Sequence, residues 1–175
     1  MRQGQVSMDQ LDDAIDHIRG GAAGRVIVEY GDYECPFSRQ AYRAIERVER
    51  QLRGEVRFAF RHFPLIVIHP HALAAAAAAE AAALQDRFWE MHNLLFHHQS
   101  ALGGDALRRW ATQLELDVPR FDRDRTSTAV MQRIGRDVKS ALASGEVTGT
   151  PTLFIDGVVH RGAYHTGTLL EALAR

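Results

Sequence analysis

Between residues 26 and 60 the spacing of apolar residues changes twice, and that alone excludes most architectures. Val26, Ile27 and Val28 form a short continuous β-branched run, the pattern of a buried strand. Phe37, Ala41, Ile45, Val48 and Leu52 then recur every three or four residues. This predicts a helix opened by Pro36, where a missing N–H costs nothing. Val56, Phe58 and Phe60 alternate with Glu55, Arg57 and Ala59, which predicts a second strand. Strand, helix and strand of these lengths imply a parallel pair joined by a right-handed crossover.

The flanking segments extend this frame. Upstream, Leu11, Ala14, Ile15 and Ile18 show the i, i+3, i+4, i+7 stripe of an amphipathic helix over residues 8–19, with Ser7 as cap and Gly20-Gly21 as its end. From Pro70 to about Gly145 the chain reads as helical. An alanine run occupies 72–83, Phe88 to Gln99 continues it, and Gly103-Gly104 breaks it. Leu107, Trp110, Ala111 and Leu114 mark another helix, Pro119 starts a short one, and Val130, Ile134, Val138 and Leu142 mark a last one, stopped by Gly145. Residues 152–155 and 158–160 surround Asp156-Gly157, a hairpin signature, and Leu169, Leu170 and Leu173 place a final helix at about 166–174. The strand–helix–strand unit (about 25–61) and the hairpin (about 152–161) are therefore expected in one sheet, with helices 70–145 inserted between them.

Composition narrows the class of function. The 175 residues are 46% apolar and 25% charged with a net charge of −1, a globular profile with no field favouring nucleic acid or an anionic membrane. The longest apolar stretch, residues 72–84, is interrupted by Glu80 and is too short to span a bilayer. The first residues lack a basic region followed by an apolar one, so no signal peptide is read and the expected location is cytoplasmic.

The chain has one cysteine and can form no internal disulfide. A lone cysteine is usually an inert, buried apolar residue. Cys35 differs by position, because it follows a strand and directly precedes Pro36 at the start of a helix. Its sulfur should face unpaired helix N–H groups and the positive end of the helix dipole, both of which favour a thiolate. The flanking carboxylates of Asp32 and Glu34 oppose that effect. Ser38 lies one turn on, on the same face, where its hydroxyl can donate to the thiolate but cannot attack a disulfide. Monothiol chemistry follows, with an outside thiol such as glutathione, used as a co-substrate, completing the cycle.

Three segments carry a resemblance. Residues 26–38, ending in Cys35-Pro36-Phe37-Ser38, resemble the strand and active-site motif of the DsbA-like branch of the thioredoxin superfamily. His69-Pro70-His71-Ala72, Ala79-Glu80-Ala81-Ala82 and Phe88-Trp89-Glu90-Met91-His92 are similar to that family's inserted helices, and residues 147–157, with Thr150-Pro151, to its proline loop and hairpin. The resemblance covers about residues 23–175. It implies an α/β thioredoxin fold with an inserted all-helical subdomain: 1–24 an N-terminal helix and lead-in, 25–63 and 146–175 the thioredoxin-like domain, and 64–145 the insertion. It further implies a disulfide oxidoreductase or isomerase that needs no cofactor, with protein or small-molecule thiols and disulfides as partners. Cys35 and Ser38 would be its catalytic residues, and Pro36, Phe37, Thr150 and a cis Pro151 its substrate-binding ones, Thr150 offering backbone groups to an extended segment. The family pattern has a second cysteine where this chain has Ser38.

Other features carry less. His69/His71 and His97/His98 lack the i, i+4 spacing of a helical ligand pair, and no metal site is expected; His71 reads as a cap or packing residue at a helix start. Gly20, Gly21 and Gly24 precede a strand instead of following it, so they form no dinucleotide fingerprint. Arg43, Arg47 and Arg50, interleaved with Glu46 and Glu49, read as a salt-bridged, solvated face. Two rival functions stand beside the first. One is a degenerate, non-catalytic member that keeps a peptide groove around Phe37 and Pro151. The other is a relative of the kappa-type glutathione transferases and isomerases, a branch that usually has serine at the position of Cys35.

Overall fold

The computed structural model describes residues 11–175. Its strands are β1 (His17–Gly20), β2 (Arg25–Gly31), β3 (Val56–His62), β4 (Thr152–Ile155) and β5 (Val158–Val159). Its helices are α1 (Pro36–Leu52), α2 (Ala72–Ala83), α3 (Phe88–His97), α4 (Gly104–Gln113), α5 (Val118–Asp124), α6 (Thr128–Ser144) and α7 (Thr166–Leu173). The strands form one sheet in the order β1-β3-β2-β4-β5. β2 and β3 run parallel, with Ile27 beside Phe58, and β4 returns antiparallel to β2, with Val28 beside Phe154. Strand–helix–strand unit and hairpin thus share one sheet, and α2 to α6 lie between them in sequence.

Local chemistry explains the element ends. Pro36 opens α1, and Arg53 closes it in the left-handed region with its N–H on the Glu49 carbonyl. Asp117 and Ser127 cap α5 and α6 through side-chain oxygens, and Gly145 ends α6 at φ 68°. Asp156 and Gly157 both take positive φ, which a two-residue hairpin turn requires.

Alternating side chains of β2 divide the core. Ile27 packs with Phe58, Phe60, α1 and the inserted helices, while Val28 and Tyr30 pack with Ala59, Phe154, Ala141 and Val147 on the other face. α2, nearly all alanine, is buried on almost every side because it is the hub against which α3 to α6 are stacked.

The expected helix over 8–19 is corrected. Its cap, Ser7, lies outside the described residues, residues 13–15 form a turn, and His17–Gly20 is an edge strand antiparallel to β3. The amphipathic stripe was real, but tertiary partners outbid it. Asp16 pairs with Arg61 at 2.8 Å, His17 with Glu80 at 2.8 Å, and Arg19 with Glu49 at 2.8 Å. No single helix face could reach all three. Gly21 then turns so tightly over the start of β3 that an added Cβ would sit 1.7 Å from the Gly54 carbonyl oxygen.

The arginine face of α1 is corrected too. Glu46 accepts from the Tyr42 hydroxyl and Glu49 is taken by Arg19, so neither carboxylate is paired with Arg43, Arg47 or Arg50. A tyrosine of the same helix claims Glu46, and β1 claims Glu49 through Arg19, the acids that helical spacing assigns to the arginines.

Candidate functional site

Strand β2 ends at Gly31, and four residues carry the chain into α1. Cys35 is the N-cap residue, extended at φ −74° and ψ 122°, and only 3% exposed. Its amide donates to the Asp32 carbonyl at 3.1 Å, and its own carbonyl accepts from the Gln99 side chain at 2.8 Å. Gln99 also donates to the Tyr33 carbonyl at 2.8 Å, so one amide just beyond α3 pins the turn that presents the sulfur.

Across from Cys35 lies the loop between α6 and β4. The Thr150–Pro151 peptide is cis, and the Cys35 thiol donates to the Thr150 carbonyl at 3.3 Å. The Pro151 carbonyl accepts from the Tyr164 hydroxyl at 2.8 Å, while the buried Thr150 Oγ1 has no partner. The thiol therefore occupies the Thr150 carbonyl.

Ser38 is fully buried, and its oxygen accepts the Asp32 N–H at 3.2 Å. Its bond serves the turn and not the sulfur. Asp32 itself is buried, accepting from Glu34 N, Leu65 N and His69 Nδ1, each at 2.8 Å. Glu34 accepts the His71 amide at 2.7 Å and meets its Nδ1 at 3.0 Å. His71 stands at the start of α2 without a side-chain cap of its own; it faces Glu34 instead.

These two carboxylates hold the segment from Leu65 to His71 beside the cysteine. Within it Ile66, Val67 and Ile68 are strongly exposed, and so is Phe37 at the start of α1. The site thus carries an apolar, solvent-facing rim on a base of paired charges. The rim segment escaped the sequence reading, although three β-branched residues between Pro64 and Pro70, too short for a strand, were a usable signal.

Under the sheet's α1 face lies Glu29, fully buried, with both carboxyl oxygens unpartnered. Burial pushes its carboxyl up to about 8, although the Arg19 charge pulls the other way. Burial also pushes the Tyr164 phenol up, and the nearby Glu29 and Cys35 add to it, which puts all three in one electrostatic neighbourhood. Glu29 was invisible in sequence because a charged residue at the end of an apolar run reads as a strand edge.

The structure thus gathers Cys35, Ser38, Pro36, Phe37, Thr150 and Pro151 around one turn and one loop. Pro36 and Phe37 are exposed beside the sulfur and Pro151 is buried behind its carbonyl. One histidine group also went unread: His17, His62 and Glu80 bring their ligand atoms within 4.8 Å of one another. Both imidazole Nε2 atoms meet the same Glu80 oxygen, at 2.8 and 2.7 Å, which is hydrogen-bond geometry.

Comparison with known proteins agrees with this architecture. The family described as thioredoxin matches residues 14–174. A thioredoxin-like oxidoreductase from Silicibacter pomeroyi superposes with a TM-score of 0.82 at 25% identity, covering 93% of this chain and 92% of that one. Oxidised BdbD from Bacillus subtilis gives 0.83 at 18% identity over 98% and 97%, and the catalytic domain of Proteus mirabilis ScsC 0.76 at 18% over 94% and 91%. Among curated sequences, the Na(+)/H(+) antiporter NhaA 1 of Mycolicibacterium vanbaalenii is 42% identical over 161 residues, 90% of this chain and 26% of that protein. NhaA 3 of Salinispora tropica is 42% identical over 167 residues, 95% of this chain and 25% of that protein. The chain thus spans about a quarter of the length of these relatives. The chain belongs to the thioredoxin family, and its fold is that of the DsbA-like thiol–disulfide oxidoreductases.

Proposed function

We propose that the protein exchanges thiols and disulfides through Cys35 alone. The observation that carries this reading is the cysteine's seat at the N-terminus of α1, with its sulfur 3.3 Å from the Thr150 carbonyl oxygen and no other cysteine in the chain. Once its proton leaves, the sulfur attacks one sulfur of a disulfide. A Cys35–sulfur bond forms, the substrate S–S bond breaks, and the departing thiolate takes up a proton. A thiol from solution then attacks the substrate sulfur of the mixed disulfide, the two leave joined as a new disulfide, and Cys35 departs as a thiolate that regains a proton. The carbonyl freed by ionisation, together with Phe37 and the Ile66–Ile68 rim, suits an extended segment with apolar side chains.

Oxidised glutathione tests the reading. Intact mass after incubation at neutral pH should show one glutathione per chain, removed by added reduced thiol. A chain that stays unmodified would sink the exchange reading and favour a non-catalytic peptide binder.

The curated relatives favour a second reading, of setting rather than chemistry: the domain works beside a membrane transporter, since its likeness forms a quarter of proteins named as antiporters. A tagged chain should sediment with membranes when an NhaA antiporter lacking this segment is co-expressed. Equal partition with and without the antiporter would overturn that setting.

A further inference from the structure

A groove of about 450 Å³ runs along α1 from Pro36 toward α7. Arg39, Arg43 and Arg47 line it, and no carboxylate does. The three stand at i, i+4 and i+8 on one helix face, so their Cα atoms span about 12 Å. Among the described residues none of the three is in an ion pair, because the acids of this helix are committed elsewhere, Glu46 to Tyr42 and Glu49 to Arg19. In a chain whose net charge is −1, three unneutralised guanidinium groups around one open groove are a local excess that invites anions.

The groove is continuous with the cysteine. Pro36, the residue after Cys35, forms one end, and Tyr164, which bonds the Pro151 carbonyl, lines the same space. Gln40 meets His165 at 3.2 Å and closes the wall between α1 and α7. A ligand whose sulfur lies at Cys35 can therefore extend its charged ends along the arginines. An extended tripeptide reaches about 10 Å, close to the length of the stripe.

We propose that this groove is a carboxylate-binding subsite that makes small anionic thiols and disulfides of glutathione size the exchange partners of Cys35. The proposal rests on the thiol–disulfide reading and names its substrate class. With oxidised glutathione, Cys35 gains a bond to one glutathione sulfur, the glutathione S–S bond breaks, and the second glutathione leaves as a thiolate that takes up a proton. Guanidinium groups hold the carboxylates and take no part in the bond exchange.

Two measurements test this. Binding of S-methylglutathione, which keeps the carboxylates and has no exchangeable sulfur, is followed by titration calorimetry on the parent, on R43Q/R47Q and on the distant control R108Q/R120Q. The R43Q/R47Q change should weaken binding about tenfold, and the control by less than about twofold. In the second, the rate of adduct formation with oxidised glutathione is divided by that with the uncharged hydroxyethyl disulfide. That ratio should fall about tenfold in R43Q/R47Q and also on raising the salt to about 1 M. No binding by the parent at millimolar ligand, or an equal loss in the control, would overturn the subsite. If neither disulfide modifies Cys35 while S-methylglutathione binds as described, the exchange reading fails and the subsite stands.

Discussion

At the scale of single residues, Ser38 holds the turn that presents Cys35. Its oxygen accepts the buried Asp32 N–H, and Asp32 in turn anchors Leu65 and His69. Ser38→Ala removes that acceptor and leaves a buried donor unpaired, at a cost of about 1–3 kcal/mol. Urea denaturation should show this loss. A change below about 0.5 kcal/mol would mean that water reaches the Asp32 amide. Ser38→Cys is the complementary change: it supplies the second sulfur of the family pattern at the one-turn spacing. That variant should form an intramolecular disulfide and reduce insulin with turnover, whereas the parent waits on an external thiol. An absence of the disulfide under oxidising conditions would show that position 38 points away from Cys35.

At the scale of elements, Glu80 joins three pieces that are far apart in sequence. It is almost fully buried in α2, and it meets His17 of β1 and His62 of β3. Desolvation alone would raise its carboxyl, but the hydrogen bonds and charges of the two histidines hold it well below the usual carboxylate range. Because the folded carboxyl is depressed, its contribution to stability is present above the unfolded value near 4.5 and is lost as the pH falls below it. Glu80→Ala strands the buried His62 imidazole and the partly buried His17 and should destabilise the fold by about 3–5 kcal/mol. The loss should be largest at neutral pH and shrink in acid. Thermal unfolding at pH 7 and pH 4 checks it, and an equal loss at both would separate Glu80 from the acid response.

At the scale of the whole molecule, Glu29 tilts stability against alkali. A buried carboxyl raised to about 8 keeps its proton in the folded state while the unfolded chain releases it near 4.5. The folded state then binds more protons across that window, so stability falls as the pH rises from about 4.5 to about 8. Glu29→Gln removes this slope and should stabilise the protein at pH 8 by a few kcal/mol, at most about 1.4 kcal/mol per unit of pKa displacement. Denaturation midpoints of parent and variant at pH 5 to 9 should diverge with rising pH. Parallel curves would show that Glu29 ionises as freely in the fold as outside it.

Much of this protein was written in local pattern. The two changes of spacing between Val26 and Phe60, the helix start at Pro119, the stop at Gly145 and the Asp156-Gly157 turn are short-range preferences, so strand, helix and hairpin were legible before any contact was known. Cys35 before Pro36 was legible for the same reason, since a helix start is a local event. What the tertiary structure decided depended on partners distant in sequence. His17–Gly20 became a strand because Asp16, His17 and Arg19 answer to Arg61, Glu80 and Glu49. Glu49 was drawn away from the arginines of α1 because Arg19 of β1 takes it, and Glu29 became a proton-holding carboxyl because the sheet and α1 closed over it. Burial and charge neutralisation are sums over everything that surrounds a group, and the one-dimensional chain does not contain those sums until it folds.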